Sequence, residues 1–400
     1  MQVVSPPFGP RDAVELSGSR PRVLRFRFVI LALLALSSAV VAGGRGDWNE
    51  FVSAGRQLIR HDGLAFYARH GDIQTGPISL LLAAGLGGTA WRNGFVLGVM
   101  VTLVLGLLSV WMIERAPTEP DISVNGRVQT ATLIGGMILM FWWAKLGGYG
   151  HLDDAIVLTA ATGGVVLCRR RMPLVVAALI GLAIATKPWA VIFLPLAIEM
   201  GTAGQVVPPS RWSRLRPVVV AVVVGVLAWA PFVLYEPSTL RSLRPTVKVA
   251  ADSVLSLFGA ATEPPGWLRI AQLGLASGVA LAAVLRRVPE GVILAAVAVR
   301  LVTDPGTWGY YTPALLLGAL LWDVARTSWR WPVTTLVMAL LLVPDWIVPF
   351  DRLRAVMRLA ACAGAVITVL TSRPIASGGV GPSQLTTRQE FTASRPDDGR

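Results

Sequence analysis

Long apolar segments and short polar turns alternate along most of this 400-residue chain. Many of the apolar segments reach about 20 residues, and a helix of that length crosses the roughly 30 Å hydrocarbon core of a bilayer. We therefore predict an all-α, polytopic transmembrane bundle of about 12 spans. The predicted spans are 23–43, 94–113, 128–147, 153–168, 173–186, 188–200, 217–235, 267–285, 290–302, 311–325, 332–348 and 355–371.

Three short apolar segments are predicted to depart from regular spanning helices. Residues 77–90 are predicted to be re-entrant or interfacial rather than a full span. Segments 173–186 and 188–200 flank Lys187, and their shortness predicts a thinned or broken helix pair around that residue.

Composition divides the chain into one transmembrane domain, residues 22–371, and two tails. Residues 1–21 and 372–400 are rich in Pro, Ser, Gly and charge, and we predict that they are disordered and cytoplasmic. Cys168 and Cys362 lie at the ends of or within apolar segments, so neither a disulfide framework nor a cysteine metal cluster is predicted.

The basic residues predict the orientation of the spans. Only 15% of residues are charged, against about a quarter in soluble domains, and the net charge is +13. Because most arginines cluster in turns that alternate with the spans, they fit the positive-inside rule, and no nucleic-acid partner is predicted. The clusters placed in the cytoplasm are Arg20–Arg27, Arg169–Arg171, Arg211–Arg216, Arg286–Arg287 and Arg326–Arg330, whereas Arg352, Arg354 and Arg358 fall outside and disagree.

The first outer loop, residues 44–76, begins with an acidic residue and an amphipathic pattern. Asp47 precedes a helical apolar stripe, which predicts a helix on the membrane surface. The stripe is Trp48, Phe51, Val52, Gly55, Leu58 and Ile59. Asp47 at the start of this helix is a candidate proton acceptor. The alternative is a capping box in which Asp47 and Glu50 only satisfy the helix terminus.

A second acidic motif, GGYGHLDD at 147–154, lies on an outer turn between two spans. Ionisable groups at a membrane edge are functional candidates, and here they are His151, Asp153 and Asp154. One histidine with two carboxylates could also hold a divalent metal. The alternative is that Asp153 or Asp154 is an N-cap.

Cations on the same side could bind phosphate. Lys187 in ATKPWA could neutralise a phosphate, or its side chain could only extend to the interface. In the outer loop 236–266, Arg241, Arg244 and Lys248 are spaced to share one helix face, which suits a phosphate diester or anionic lipid headgroups.

Aromatic residues mark a further outer boundary. Trp308, Tyr310 and Tyr311 are typical of an interfacial aromatic belt, and their faces also suit a sugar ring. The sequence contains no phosphate-binding glycine loop, dinucleotide fingerprint or zinc-protease motif, so these functions have no support.

Three segments, in this order and on these sides of the membrane, resemble the GT-C class of membrane glycosyltransferases. They are GDWNEF after the first span, GHLDD on the second outer turn, and LIGLAIATKPWAVIFLPLA after a basic cytoplasmic turn. Over about residues 22–350 the pattern is most similar to the bacterial polyprenyl-phosphate-mannose-dependent mannosyltransferases, glycosyltransferase family 87.

This resemblance implies a reaction and roles for residues. Such enzymes pass a sugar from a polyprenyl-phosphate donor to a hydroxyl of a lipid or glycan acceptor, without a nucleotide sugar. Asp47 then matches the catalytic base, Asp153 or Asp154 the second acidic motif, and Lys187 a basic position. Mannose is the sugar implied, while arabinose or another sugar stays open. No cofactor is implied, and the residues permit a divalent metal without requiring one.

We therefore expect an inverting glycosyltransferase in the inner (plasma) membrane, surrounded by membrane lipids, with its active site on the extracytoplasmic side. The residues expected to bind substrate are Glu50, His151, Lys187, Arg241, Arg244, Lys248, Tyr310 and Tyr311. The alternatives are a transporter or lipid flippase without transferase activity, and a non-catalytic scaffold. The sequence shows no clear internal repeat of the kind that transporters often carry.

Overall fold

The computed structural model describes residues 22–42, 46–88, 91–116, 122–198, 210–243, 247–260, 263–344 and 347–374. Within these ranges the regular structure is helical throughout, with no strand, which confirms the all-α prediction for this part of the chain. Both predicted disordered tails lie outside the described residues, apart from 372–374.

Sixteen α-helices are described, joined by shorter 3-10 and π turns. The helices are α1 Arg22–Arg25, α2 Arg27–Ala42, α3 Trp48–Gln57, α4 Phe66–Arg69, α5 Pro77–Leu86, α6 Trp91–Glu114, α7 Ile122–Tyr149, α8 Leu152–Arg169, α9 Pro173–Thr186, α10 Arg211–Tyr235, α11 Val254–Leu257, α12 Leu268–Leu285, α13 Val292–Thr303, α14 Thr312–Arg326, α15 Val333–Leu341 and α16 Asp351–Thr371. The longer 3-10 helices are Pro188–Ala197 and Pro237–Leu243.

Five helices are long and apolar enough to cross a membrane. They comprise Gly94–Glu114 of α6, Gly126–Tyr149 of α7, and the whole of α10, α12 and α16. Large apolar side chains such as Leu227 and Ile367 are exposed on their outer surfaces. Contiguous apolar surface of this kind is rare on soluble proteins, so the structure is that of a membrane protein whose perimeter faces lipid.

Helices α8, α13 and α14 form the centre of the bundle. Nearly all of their side chains are buried, including small residues that let helices approach closely. At Gly318 of α14, a Cβ atom would lie 2.5 Å from the backbone nitrogen of Leu294 in α13, so only glycine permits this packing. Small residues at helix contacts are the usual means of close packing in membranes.

Polar contacts define one end of the bundle, here called the basic end. Arg27 at the start of α2 donates from Nε to Glu114 at the end of α6, over 3.0 Å. Arg326 at the end of α14 lies 3.1 Å from Glu290, just before α13. Arg286, after α12, donates to the carbonyl of Ser372 after α16.

At the opposite end, here called the cavity end, carboxylates pair with two of the three arginines that disagreed with the positive-inside rule, Arg354 and Arg358. Arg354 Nε lies 3.2 Å from Asp252 Oδ2, and Arg358 donates to the Asp252 carbonyl over 2.7 Å. Arg354 also donates to Asp351 over 2.6 Å. Because these carboxylates neutralise them, the two arginines at the start of α16 are compatible with the side that lacks basic clusters.

The predicted break around Lys187 is confirmed. Helix α9 ends at Thr186, Lys187 has extended backbone angles (φ −155°, ψ 120°), and a 3-10 helix starts at Pro188. Proline disfavours the helical conformation of the residue before it, so Pro188 explains where the helix stops. The ten-residue 3-10 helix rises about 2.0 Å per residue, which makes this short segment about 20 Å long.

The segments predicted as interfacial form a packed pair, α3 and α5. Gly55 of α3 lies so close to α5 that a Cβ would be 2.1 Å from the Leu80 carbonyl oxygen. The stripe predicted to face the membrane instead packs on protein, since Trp48 is buried against Gly98 of α6. Ile59 was assigned to this stripe wrongly: it is exposed, because the chain enters a π turn at Leu58.

Candidate functional site

Two glycines bring the predicted acidic motifs together at the cavity end. A Cβ at Gly46 would lie 2.5 Å from the Tyr149 carbonyl oxygen, and one at Gly150 would lie 2.7 Å from the Trp48 backbone nitrogen. Gly150 also has φ +87°, a conformation that favours glycine. The backbone N–H of Asp47 donates to the Tyr149 carbonyl over 2.9 Å. These contacts place the start of α3 beside the start of α8.

Asp47 faces His151 across this junction. Asp47 Oδ2 lies 3.2 Å from His151 Nε2, and the Asp47 side chain is 47% exposed. Asp47 occupies the N-cap position of α3, but its side chain makes no capping hydrogen bond there, so the predicted capping box is wrong. The carboxylate is therefore open to solvent and to a substrate.

His151 is buried between three carboxylates. Its Nδ1 atom lies 3.6 Å from Asp153 Oδ1 and 3.6 Å from Asp154 Oδ2, and neither ring nitrogen has an aligned hydrogen bond within the described residues. Burial lowers the pKa of the imidazole, but the carboxylates of Asp153 and Asp47 outweigh burial and place that pKa above its ordinary value. The neighbouring carboxylates thus favour the charged form of this ring relative to a free imidazole.

Lys187, Asp153 and Asp154 form a buried ion cluster behind His151. Lys187 Nζ lies 2.8 Å from Oδ2 of each aspartate. Thr75 donates to Asp153 over 3.0 Å, and Trp189 Nε1 donates to Asp154 over 3.1 Å. Extension of Lys187 to the interface is therefore wrong, because its ammonium is held between two carboxylates.

The prediction that Asp153 or Asp154 is the N-cap of α8 is wrong. His151 occupies the N-cap position of α8, and both aspartates lie in the first helical turn. Asp153 Oδ1 accepts the backbone N–H of Asp154 over 2.9 Å, whereas both oxygens of Asp154 are taken by Lys187 and Trp189. Asp153 thus serves the helix start as well as the cluster.

The same residues provide a donor set for a divalent metal. One ligand atom from each of His151, Asp153 and Asp154 lies within 4.8 Å of the others. Imidazole and carboxylate ligands suit several divalent ions. However, the Lys187 ammonium already bridges the two carboxylates, and a dication would have to displace it. The arrangement therefore fits an ammonium better than a metal.

A cavity of about 560 Å³ opens beside Asp47 at the cavity end, within the usual range of about 300–1,000 Å³ for small-molecule sites. Seven of the predicted site residues line it. These are Asp47, Glu50, His151, Lys187, Lys248, Tyr310 and Tyr311. The structure thus brings together residues that are up to 264 positions apart in the sequence, from Asp47 to Tyr311.

Other predicted residues do not line this cavity. Asp153 and Asp154 are not among the residues that line the cavity, but both contact Lys187, which does line it. Arg241 is exposed on the 3-10 helix Pro237–Leu243, and Arg244 lies outside the described residues.

The prediction that Arg241 and Lys248 share one helix face is wrong. Lys248 lies in a non-helical segment, because the backbone there turns to pair with a neighbouring loop: Ala250 N donates to the Pro305 carbonyl over 2.8 Å. Lys248 alone of this group reaches the rim of the cavity.

Sequence reasoning missed two arginines in the cavity wall, Arg269 and Arg300. Arg300 lies within α13, inside the predicted span 290–302. An ionisable residue in a span is a functional candidate by default, so this signal was present in the sequence. Arg269 lies in the first turn of α12 and looked like an ordinary interfacial cation.

Carboxylates gather at the mouth of the cavity. Burial, then the carboxylates of Asp47 and Asp72, raise the pKa of Glu50 above its ordinary value. Asp72 also lines the cavity and was not predicted. Because the carboxylates of Asp47 and Asp72 are close to it, Glu50 is a poor candidate for contact with an anionic group.

An aromatic shelf, formed by Trp308 and Tyr310, lies next to His151. The Trp308 and Tyr310 rings are stacked at 6.1 Å and 6°. Tyr310 also packs on the His151 ring at 3.8 Å, so the shelf adjoins the partner of Asp47. Trp308 is exposed, which leaves an aromatic face available to a ligand.

No protein family, characterised protein or solved structure matches this chain at a significant level. The class that the fold and the site define is a helical membrane protein with a charged, aromatic-lined cavity at one end of its bundle.

Proposed function

We propose that this chain is a GT-C-type glycosyltransferase of the inner membrane, which transfers a sugar, mannose by resemblance, from a polyprenyl-phosphate donor to an extracytoplasmic lipid or glycan. The proposed topology has twelve crossings: α2, α6 to α10, the 3-10 helix Pro188–Ala197, and α12 to α16. Both termini are then cytoplasmic, and the cavity end faces outward.

The observation that carries this proposal is the position of Asp47. A half-exposed carboxylate lies at a cavity that also contains buried cations and aromatic faces, at the ends of apolar helices. A lipid-linked sugar phosphate presents an anion, a sugar ring and an apolar tail, and this cavity offers a partner for each. The sequence has no P-loop or dinucleotide-binding fingerprint that would favour a nucleotide instead.

In the proposed reaction, the acceptor hydroxyl oxygen attacks C1 of the donor sugar. A new C1–O bond forms as the C1–O bond to phosphate breaks, and the phosphate leaves with the electron pair. Asp47 accepts the hydroxyl proton, a role worth about 10²- to 10⁴-fold in rate. Attack opposite the leaving group inverts the anomeric centre.

The buried ion cluster supports this carboxylate. Lys187 fixes Asp153 and Asp154, and these aspartates flank the buried ring of His151. His151 in turn lies 3.2 Å from Asp47, so it can hold the carboxylate in one orientation. His151 and the cluster are thus positioning residues rather than reacting groups.

The test is transfer of radiolabelled mannose from polyprenyl-phosphate-mannose in membranes that contain the full chain. Asp47→Asn keeps the shape of the side chain but removes the base, and we expect activity to fall at least about 100-fold. Asp351→Asn, the same change at an exposed carboxylate outside the cavity, should leave activity unchanged. Near-normal transfer by Asp47→Asn would remove Asp47 from the catalytic role.

A transporter or flippase without transferase activity predicts a different result. Such a protein would move the lipid across a sealed vesicle but form no new glycosidic bond in detergent. Purified protein in detergent, which cannot sustain a gradient, should still convert the donor if the proposal is correct.

A further inference from the structure

We infer that Arg300 and Arg269 form a subsite for a single, singly charged phosphate group, and that this group belongs to a lipid. The identity of the lipid donor rests on the proposed function, whereas the anion subsite itself does not. The inference moves phosphate binding away from Lys187, Arg241 and Arg244, where sequence reasoning placed it.

Arg300 is a buried cation with one unused hydrogen-bond donor in the described structure. Its side chain is only 4% exposed, and its Nε has no hydrogen-bond partner within the described residues. The guanidinium is held over the rings of Trp189 and Tyr311, at 4.2 and 4.8 Å. Its distance to Asp304 Oδ2 is 3.7 Å, too long for a hydrogen bond. A buried, charged donor without a partner is costly, so this group is arranged to receive an acceptor from the cavity.

Arg269 brings a second guanidinium to the same wall. Its Nη1 lies 3.7 Å from Asp304 Oδ2, and its Nη2 donates to Gln74 over 3.2 Å. Asp304 also accepts from the Gly306 backbone N–H over 3.1 Å. Two guanidinium groups, each with one positive charge, therefore share the single negative charge of Asp304. One unit of positive charge is left for a ligand. A phosphate diester carries one negative charge, and guanidinium groups bind phosphate oxygens well.

Lys187 cannot serve the phosphate in this way. Its ammonium lies 2.8 Å from each of Asp153 and Asp154, so two negative charges surround one positive charge. An incoming phosphate would therefore have to displace one of these carboxylates from the ammonium. Of the cavity cations, Lys248 is exposed at the rim, whereas Arg269 is partly buried and Arg300 is buried, so these two arginines provide the positive wall.

The surface next to Arg269 suits an apolar tail. Ile270 is exposed and Leu273 lines the cavity, both on α12. Further along the helix, nothing lies within 4 Å of a Cβ placed at Gly274 or Gly278, which leaves an open apolar path along α12. A phosphate at Arg269 could thus carry its lipid chain directly onto the perimeter of the bundle, where a free phosphate has no such contact.

The test uses the purified full chain in detergent and its tryptophan fluorescence. The probes are farnesyl methyl phosphate, a lipid phosphodiester, with farnesol and sodium phosphate as the tail-only and anion-only comparisons. We expect tight binding of the diester alone, and at least about tenfold weaker binding by Arg300→Gln and by Arg269→Gln. Should Arg300→Gln fail to fold, Arg269→Gln carries the test, because its side chain is partly exposed.

Arg326→Gln is the matched control. Arg326 is also buried and pairs with one carboxylate, that of Glu290, but it lies at the basic end. Its variant should bind the diester like wild type. Unchanged binding by both cavity variants, or equal binding of farnesol, would overturn the subsite, and equal binding of sodium phosphate would overturn its assignment to a lipid.

The two proposals can fail separately. Arginine-dependent binding of the diester without any sugar transfer would refute the glycosyltransferase and leave the subsite standing. Transfer that depends on Asp47 but not on Arg269 or Arg300 would refute the subsite alone.

Discussion

Replacing Lys187 by methionine should destabilise the folded protein by about 3–5 kcal/mol. Each contact of Nζ with Asp153 and Asp154 spans 2.8 Å, which corresponds to roughly 6 kcal/mol of attraction at an effective dielectric of about 20. Desolvation of the three charges offsets much of this attraction. The variant nevertheless leaves two adjacent buried carboxylates without their cation, and this uncompensated repulsion gives the expected cost.

A double-mutant cycle isolates the interaction. Asp154→Asn alone keeps Lys187 paired with Asp153, so we expect a smaller loss, about 1–2 kcal/mol. Combined with Lys187→Met, it removes one of the two unpaired charges, and the double variant should be no less stable than Lys187→Met. The expected coupling is therefore about 1–3 kcal/mol. Methionine is chosen because its flexible apolar chain can fill the space of the lysine stem.

The measurement is unfolding by SDS in mixed micelles, followed by the fluorescence of the chain's 14 tryptophans. The free energy of unfolding of the four proteins is compared under one set of conditions where refolding is reversible. A loss below about 1 kcal/mol for Lys187→Met, or simple additivity of the two changes, would refute the reasoning. Either result would mean that the lysine ammonium is solvated and not held by the aspartates.

Two further predictions test the geometry around the cavity. Gly150→Ala should cost about 1–3 kcal/mol of stability and reduce transfer, because the new Cβ would meet Trp48 at 2.7 Å and the backbone φ is +87°. Gly259→Ala is the control for the backbone strain alone, because Gly259 has φ +83° but lies in open space. Equal losses in the two variants would rule out the close approach of α3 and α8. In a chain whose Cys168 and Cys362 are replaced by alanine, an impermeant maleimide added to intact cells should label Ser53→Cys on exposed α3 but not Arg287→Cys at the basic end. The opposite labelling would contradict the proposed orientation.

Local sequence was sufficient for much of the fold and for part of the site. Hydropathy and the arginine clusters predicted an all-helical membrane protein, since backbone satisfaction in lipid leaves few other structures. Pro188 explains the break at Lys187 from local sterics. Only the structure shows that Gly46 and Gly150, beside the two acidic motifs, permit the two turns to touch.

The remaining features depend on contacts between distant segments. Lys187 and Asp154 are 33 residues apart, and no local pattern states that one neutralises the other. The spacing of Lys248 predicted a helix face. Its segment is instead non-helical, because Ala250 donates its backbone N–H to the Pro305 carbonyl of a distant loop. Arg300 was detectable as a charge within a predicted span. That it shares the carboxylate of Asp304 with Arg269 is visible only in the structure, which brings Arg269 beside it.

Exposure distinguishes the two charged walls of the cavity and orders the proposed reaction. The Asp47 side chain is 47% exposed, whereas that of Arg300 is 4% exposed, so the carboxylate meets water and the guanidinium does not. In the proposed reaction, a polar acceptor would then approach from the side of Asp47, and the phosphate of the lipid donor would bind at Arg300. If the sugar rests between these walls, against the aromatic shelf, the acceptor and the leaving group lie on opposite sides of C1. Inversion then follows from the arrangement of charge in the cavity, and a product that retained the donor's configuration would be incompatible with it.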